Sequence, residues 1–365
     1  MRRFKKGFLY LVVSVALMML ICPFAAADDP VVLKFSSYLP PSHHLQASWQ
    51  WVADQIEART DGSVKIRMFT SGSLHGSKQG FEALRSGITD ITPAYPAYEP
   101  TGFNLAYAGE LPFKFPNAQV MSRVMDELYP KYIKAEYEKT GAKLAFWCNT
   151  TNYLFVATRK PVKSLADLKG MKIRSPGLMA SNTLKALGAV PVMMPTPEIY
   201  EGIERGVVDG TFLTPSSGIS YRLYEVGKYL NIMPVSCLGI PVAIRPKAWE
   251  KLTPEQQAIV FQVFREGTMD VAEGYDEESA KAIASWEKQG GTVVIVDAEE
   301  IQKCKNAVAQ VDEAWIARCA KAGKGEQAKQ MLQELDLLVK KYEKMPLEEL
   351  RKEHMQADME KMMSD

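Results

Sequence analysis

The chain has 365 residues, with 44 Lys and Arg against 43 Asp and Glu, so its formal net charge is +1. A balance this even excludes a polycation that binds nucleic acid. The length exceeds what one hydrophobic core usually serves, so two lobes are expected.

The first residues have the layout of a secretory signal peptide. Arg2, Arg3, Lys5 and Lys6 precede an apolar run over residues 7–22, and three alanines at 25–27 offer a cleavage site. An uncleaved anchor is the alternative, but the run is shorter than the roughly 20 residues that a spanning helix needs. Cleavage after residue 27 leaves 40 Lys and Arg against 43 Asp and Glu. We therefore expect a mature protein that works outside the cytoplasm.

Strands and helices alternate in the first part of the mature chain. The residue pattern predicts strands at 31–36, 63–69 and 88–92, with helices over 43–59 and 79–86 between them. A β-α-β-α-β order favours a mostly parallel sheet.

A second series follows, and it contains the most informative residue of the sequence. Strands are predicted at 143–147, 153–159, 171–173 and 190–193, with helices from 179 and from 197. The strand 171–173 is predicted to stop at Arg174, because Ser175, Pro176 and Gly177 follow it. Ligands of α/β domains bind beyond the carboxyl ends of strands, and an arginine there can hold a carboxylate with two parallel bonds. The sequence therefore indicates a receptor for a small organic acid, anchored by Arg174.

A long helix is predicted near residue 254. Thr253, Pro254 and Gln256 combine an N-cap, a proline at the first helical position and a capping-box glutamine, and the pattern continues to about residue 288. Such a helix could span two lobes that close on a ligand as a clamp. We assign residues 28–151 and 239–278 to the first lobe, 152–238 and 279–325 to the second, and 326–365 to a C-terminal helical extension.

The extension carries one apolar helical face, formed by Met331, Leu335, Leu338, Tyr342 and Met345. Docking on the protein's own lobes is the default for such a helix. We therefore favour a monomer over a homodimer, with pairing through this helix as the alternative.

Several segments together resemble the solute-binding proteins of TRAP transporters, the DctP type. They are, in chain order, RTDGSVKIRMFTSGSLHG, EALRSGITDI, ELPFKFPN, DLKGMKIRSP, LGAVPVMM, PEIYEGIERGVVDG, YEVGKYL and WEKLTPEQQ. The resemblance implies an α/β two-lobed periplasmic binding protein with mixed, mostly parallel sheets and a long helix spanning both lobes. It also implies delivery of an organic acid to the TRAP permease membrane subunits. Neither catalysis nor a cofactor is expected from the residues of this chain. Arg174 matches the arginine by which the family holds a carboxylate.

The sequence differs from sialic-acid and dicarboxylate binders of this family at three places. Leu154 stands where they carry a second arginine, residues 211–214 (TFLT) where they place an asparagine, and Tyr95 where a carboxylate often lines the site. These differences indicate a monocarboxylate ligand with an apolar or aromatic body. The candidate ligand-binding residues are Arg174, Tyr95, Tyr38, Leu154, Tyr153, Phe212, Leu213, Thr214, Trp147 and Tyr98.

Two other classes of protein stay open as alternatives. An acid–base enzyme could use Asp90, Glu110, Glu198 and Asp209, but no nucleophile is set beside a base. A binding protein of an ATP-driven importer would share the clamp. A liganded metal is not expected, because neither the histidines nor the cysteines have metal-ligand spacing.

Structural roles are favoured for the histidine pair and for two of the cysteines. His43 and His44 follow the first predicted strand, where polar helix capping or solvent exposure is expected of them. Cys304 and Cys319 lie in one predicted helical region. A disulfide between them is one hypothesis, and burial as small apolar side chains is the favoured one.

Overall fold

The computed structural model describes residues 29–99 and 101–363. The predicted signal peptide lies outside the described residues. Within them, no helix combines the length and the apolar character that crossing a membrane requires. From Val31 onward the described chain forms one compact unit.

The strands and helices alternate as the sequence predicts. In chain order the strands are β1 Val31–Ser36, β2 Val64–Phe69, β3 Ile91–Pro93, β4 Lys143–Asn149, β5 Tyr153–Thr158, β6 Lys172–Ser175, β7 Val190–Met193, β8 Gly210–Leu213, β9 Tyr229–Ser236, β10 Gly239–Ile244 and β11 Thr292–Ile295. The helices are α1 His44–Arg59, α2 Gly80–Ser86, α3 Ala118–Leu128, α4 Lys134–Lys139, α5 Leu178–Ala186, α6 Ile199–Glu204, α7 Pro215–Ser220, α8 Pro246–Trp249, α9 Pro254–Trp286, α10 Ala298–Val308, α11 Gln310–Lys321, α12 Gly325–Tyr342, α13 Leu347–His354 and α14 Met359–Met363.

Two mixed sheets define two lobes. The first sheet has the order β2-β1-β3-β10-β4, and the second has the order β11-β9-β5-β8-β6-β7. In the first sheet β10 runs antiparallel to both of its neighbours, while β1 is parallel to β2 and β3. We call the parts of the chain built around these sheets the first and the second lobe. The chain passes between them from β4 to β5, from β9 to β10, and again through α9.

The predicted strand end at Arg174 is wrong. Strand β6 continues through Arg174 to Ser175, because β7 pairs along one edge of it and β8 along the other. Arg174 lies opposite Val192 of β7 and Thr211 of β8. Its backbone is therefore fixed by two neighbouring strands.

The third predicted strand also begins later than expected. Strand β3 starts at Ile91, and the carboxylate of the preceding residue, Asp90, has two partners. One oxygen of its carboxylate accepts a hydrogen bond from the backbone N–H of Lys34 at 2.9 Å, and the other pairs with Arg245 at 2.6 Å.

The long helix α9 connects the lobes, as its start signal predicts. The side chain of Thr253 accepts from the backbone N–H of Gln256, and the Gln256 side chain accepts from the backbone N–H of Thr253. The helix contacts α1 and β4 in the first lobe, and α7 and β11 in the second. Both lobes therefore share one rigid element of 33 residues.

The C-terminal helix α12 docks on the chain itself, which confirms the default prediction. Met331, Leu335 and Tyr342 are fully buried. At the edge of this contact Glu334 pairs with Lys131 at 2.6 Å and accepts a hydrogen bond from Tyr132 at 2.8 Å.

The two cysteines of the C-terminal part are not bridged. Cys304 and Cys319 are free and buried. The disulfide hypothesis is therefore wrong, and burial as small apolar side chains is confirmed.

Candidate functional site

Arg174 is a fully buried arginine one residue before the end of strand β6. Its Nε donates to the carbonyl of Met194 at 2.8 Å, Nη1 donates to the carbonyl of Phe212 at 3.4 Å, and Nη2 donates to Thr196 Oγ1 at 3.1 Å. Among the described residues no carboxylate forms an ion pair with it. Burying an unpaired charge is unfavourable, so this guanidinium is poised to accept an anion.

Four tyrosines surround this guanidinium and come from both lobes. Tyr38 and Tyr98 belong to the first lobe, and Tyr153 and Tyr221 to the second. Each interacts electrostatically with Arg174, and burial raises the pKa of each phenol while the positive charge opposes part of the rise. We call Arg174 with these four residues the arginine cluster. Its phenols are neutral, so their O–H groups can donate to an anion beside the guanidinium.

The two lobes approach each other closely beside this cluster. The ring of Tyr95 meets that of Tyr98 edge-on, with centroids 5.2 Å apart. Across the cleft lies Gly177, two residues after the end of β6. A Cβ atom built on Gly177 would stand 2.5 Å from the Cβ of Ala97 and 3.4 Å from the Tyr95 hydroxyl. Only a glycine fits at this point when the lobes are in contact.

A buried histidine links the lobes on another side. His43 is the N-cap of α1 and accepts from the backbone N–H of Leu45 at 3.3 Å, while its Nε2 lies 3.3 Å from the hydroxyl of Ser217. Burial lowers the pKa of His43, so the ring is neutral. The predicted capping role is confirmed for His43. Its neighbour His44 stacks on it with centroids 4.5 Å apart.

The remaining predicted site residues lie in strands β4, β5 and β8 and at the start of α7. Phe212 packs against Tyr153 with centroids 5.3 Å apart, and Leu213 pairs with Leu154 across the β8–β5 ladder. Thr214 caps α7, where its hydroxyl accepts from the backbone N–H of Ser217. Trp147 stands in the first sheet opposite Pro241, and it lines an internal cavity with Glu110.

Two surface cavities bear on where a ligand could lie. One of about 340 Å³ adjoins the arginine cluster, because Tyr98 and Met194 line it together with Lys78, Ala97, Pro176, Met193 and Pro195. Another, of about 490 Å³, lies between α1, α7 and α9, and its lining includes Ser42, Ser216 and Lys281 but not Arg174. Because Lys281 is already paired with Glu277 and Glu278, we favour the smaller cavity as the approach to the site.

Two of the four carboxylates considered for acid–base catalysis have structural partners. Asp90 is bound to Lys34 and Arg245, and Asp209 accepts from the backbone N–H of Lys172 at 2.8 Å. Glu198 is exposed. Glu110 is buried in the first lobe. In the part of the chain that the structure describes, no cluster of His, Cys, Asp and Glu could hold a metal ion.

Sequence reasoning missed several members of this site. The pattern at Thr196 is typical of a helix cap, but Pro195 is the cap residue of the turn Thr196–Glu198, and the Thr196 hydroxyl binds Arg174 instead. Met194 contributes only its carbonyl, which no side-chain pattern reveals. Tyr221 follows the short helix α7 and carries no local signal. The pairing of β7 with β6 would have placed Met194 and Thr196 beside Arg174, had the register been known.

A comparison with family models matches residues 35–318 to the bacterial extracellular solute-binding proteins, family 7 (DctP). Among curated proteins, the C4-dicarboxylate-binding periplasmic protein DctP of Rhodobacter capsulatus is 27% identical over 274 residues, which is 73% of this chain and 80% of that protein.

Solved structures of this kind superpose on nearly the whole described chain. A TRAP periplasmic solute-binding protein from Bordetella bronchiseptica, with bound (R)-mandelate and (S)-mandelate, is 28% identical with a TM-score of 0.78, covering 86% of this chain and 99% of that one. A TRAP solute-binding protein from Rhodoferax ferrireducens T118, in complex with copurified benzoate, shares the fold at 23% identity, with a TM-score of 0.81 and coverage of 86% and 99%.

Proposed function

This chain belongs to family 7 of the bacterial extracellular solute-binding proteins, whose members are receptors rather than enzymes, and we propose that it binds a small monocarboxylate with an apolar or aromatic body. In this proposal the receptor works in the periplasm and delivers its ligand to the membrane subunits of a TRAP permease. The ligand carboxylate is bound by Arg174, and the two lobes close around it.

One observation carries the proposal. Arg174 is fully buried, yet the groups of the protein that hydrogen-bond to it are carbonyls and hydroxyls, all of them uncharged. A carboxylate would supply the missing negative charge and accept two parallel bonds from the guanidinium. The neutral phenols around it would provide further donors. Sugars without a charge, and amines, would leave the buried cation uncompensated.

The surroundings of the cluster support an apolar body for the ligand. The adjoining cavity is lined mainly by Ala97, Pro176, Met193 and Met194, and thioethers adapt well to flat aromatic or branched apolar groups. Lys78 is the one charged side chain in this lining, and it is exposed. Inside the cluster itself a second carboxylate would meet no cation other than Arg174 among the described residues.

The relatives are consistent with this choice without deciding it. The Bordetella protein binds mandelate, an aromatic monocarboxylate, whereas the Rhodobacter protein is named for C4-dicarboxylates. Ligands within the family thus differ in charge, and the distinction for this chain depends on its own side chains.

A calorimetric titration of the purified protein tests the proposal. The panel contains mandelate and benzoate as aromatic monocarboxylates, succinate as a dicarboxylate and glucuronate as a hydroxylated acid. We expect binding of the aromatic acids with the highest affinity. Preference for succinate would refute the monocarboxylate assignment. It would indicate that Lys78 serves as the second cation.

The role of Arg174 is tested on the same instrument with Arg174→Ala. Loss of one member of a buried charged pair should weaken binding by about 2–5 kcal/mol. Arg159→Ala is the matched control, because Arg159 is an exposed arginine of the second lobe that also donates to backbone carbonyls. Thermal unfolding of both variants shows that they are folded. Equal affinity of Arg174→Ala and the control would remove the basis of the proposal.

A further inference from the structure

Four buried polar groups of the first lobe lack hydrogen-bond partners among the described residues. They are Glu110 Oε2, the hydroxyls of Tyr95 and Tyr137, and the indole Nε1 of Trp147. Buried polar groups are nearly always satisfied by protein or by ordered water, so a cluster of four that are not requires an explanation. None of these four groups forms a hydrogen bond with Arg174.

A small internal cavity lies among three of them. Glu110, Tyr137 and Trp147 line it, together with Pro96, Gly109 and Gly239 and other residues. Its volume of about 10 Å³ is at the lower limit for one water molecule, roughly 10–15 Å³. Most of its lining is apolar, but three of the side chains that line it carry unpartnered polar groups, and a buried water molecule needs two to four such partners.

The hydrogen-bonding capacities of these groups match one water molecule. The indole N–H can only donate, so it would donate to the water oxygen, while a phenol or a carboxyl oxygen can accept from the water. A cation is a poor occupant, because the indole N–H would point at it. The site therefore fits water.

Glu110 connects this site to the ligand side of the lobe. It is 4% exposed and ends the turn Leu105–Glu110. Burial raises its pKa to about 8, and an interaction with the Tyr95 hydroxyl opposes part of the rise. That hydroxyl and Glu110 Oε2 do not complete a hydrogen bond of ordinary geometry. On its other side, Tyr95 meets Tyr98 of the arginine cluster.

We propose that Glu110 is a positioning residue for ligand binding: its protonated carboxyl, with one water molecule between it, Tyr137 and Trp147, holds the Tyr95 ring against the arginine cluster. This rests on the proposed function, in which the cluster receives a carboxylate. Ionised Glu110 would place a negative charge behind Tyr95. This charge would repel the anionic ligand that binds at the arginine cluster. Ligand affinity therefore falls as Glu110 loses its proton.

The titratable groups that face Glu110 are consistent with a neutral carboxyl. They are all phenols: Tyr95, Tyr98, Tyr107, Tyr137 and Tyr153. The cations on the neighbouring C-terminal helices have other partners. Arg318 lies over the Tyr107 ring, 5.5 Å from its centroid, and Lys324 pairs with Glu136.

The first test is calorimetric titration of mandelate at pH 6.5 and pH 9, at which mandelate is ionised throughout. The affinity of the unmodified protein should fall roughly tenfold, as expected for a site that needs one proton with a pKa near 8. Glu110→Gln keeps a neutral side chain of the same shape, so its affinity should not change between the two pH values. Glu110→Ala should bind more weakly at both. The exposed Glu138→Gln is the matched control and should follow the unmodified protein.

An equal decline in Glu110→Gln and the control would overturn the proposal, since the titrating group would then be another one. A second test needs no ligand, and it separates this proposal from the proposed function. Crystals of the ligand-free protein near pH 6.5 should show an ordered water within about 3 Å of Glu110 and Trp147 Nε1. Glu110→Ala should displace the Tyr95 ring. A dry cavity, or an unmoved ring in Glu110→Ala, would refute the inference even if mandelate fails to bind.

Discussion

Gly177→Ala is the substitution that probes lobe closure most cleanly. Gly177 has extended backbone angles, φ −175° and ψ −168°, which alanine adopts without strain. The added methyl group would stand 2.5 Å from the Cβ of Ala97, well inside the ordinary contact distance of about 3.5–4 Å between carbon atoms. Because these two residues belong to different lobes, the clash acts on the approach of the lobes and leaves each sheet intact.

The magnitude follows from that distance. The lobes must separate by about 1 Å at this point, and forcing extra methyl groups into a packed contact typically costs about 1–3 kcal/mol. A ligand that binds with the lobes in contact should therefore lose roughly 5- to 150-fold in affinity. The assay is calorimetric titration with mandelate, accompanied by thermal unfolding of the ligand-free protein, which should change little.

Two further variants make the test specific. Gly274→Ala is the matched control, because Gly274 lies in α9 and a Cβ atom added there would meet no neighbouring heavy atom within 4 Å. Its affinity should equal that of the unmodified protein. Ala97→Gly in the Gly177→Ala background removes the opposing methyl group and should restore binding. Full affinity in Gly177→Ala alone would show that the ligand does not require this contact.

Four other predictions concern stability. The folded chain keeps the Glu110 proton to about pH 8, whereas the unfolded chain loses it near 4.5, so the free energy of unfolding should fall by about 2 kcal/mol between pH 6.5 and 8, measured by urea titration, and Glu110→Gln should abolish the fall. Burial lowers the pKa of His354 to about 3, so mainly the unfolded chain binds that proton below pH 6.5, and the stability lost as the pH falls from 6.5 toward 3 should be smaller when His354 is replaced by Gln. Asp126→Asn leaves the buried guanidinium of Arg265 without its carboxylate and should destabilise by about 3–5 kcal/mol, whereas an unchanged urea midpoint would mean that the pair contributes nothing. Leu335→Ala empties a fully buried position under α12 and should destabilise by about 2–5 kcal/mol, and a loss below about 1 kcal/mol would show that the helix is loosely docked.

Local signals predict the elements that depend on local chemistry. The start of α9 is predictable because Thr253, Pro254 and Gln256 form a cap within four residues. The first strand is predicted to the residue, since its apolar run is bounded by a proline and a serine pair. Features that depend on partners far away in the chain are predicted less well.

Strand β6 shows why a strand end can be misjudged. Ser175 and Pro176 discourage a strand by themselves, but Ser175 pairs with Met193 of β7, about twenty residues later. Strand β3 differs in the other direction, because it begins at Ile91 although the predicted strand includes Asp90, whose carboxylate is bound by Lys34 and Arg245. Both Ser175 and Asp90 have partners far away in the chain, and one sequence does not contain that information.

The residues of the candidate site differ in the same way, since some are predictable from local signals and others depend on long-range packing. Arg174, Tyr38, Tyr98 and Tyr153 come together as the sequence indicates, because each follows, begins or ends a strand of its own lobe. Tyr221 enters the cluster only through the packing of α7. Trp147, predicted as a wall of the ligand pocket, stands beside Glu110 in the interior of the first lobe.

The most direct measurement is a crystal structure of the protein with a bound aromatic acid such as mandelate. The ligand carboxylate should accept two hydrogen bonds from the Arg174 guanidinium, with N–O distances of about 2.7–2.9 Å, and its ring should lie toward Met193 and Met194. A ligand carboxylate held elsewhere, with Arg174 still bonded only to groups of the protein, would contradict the account.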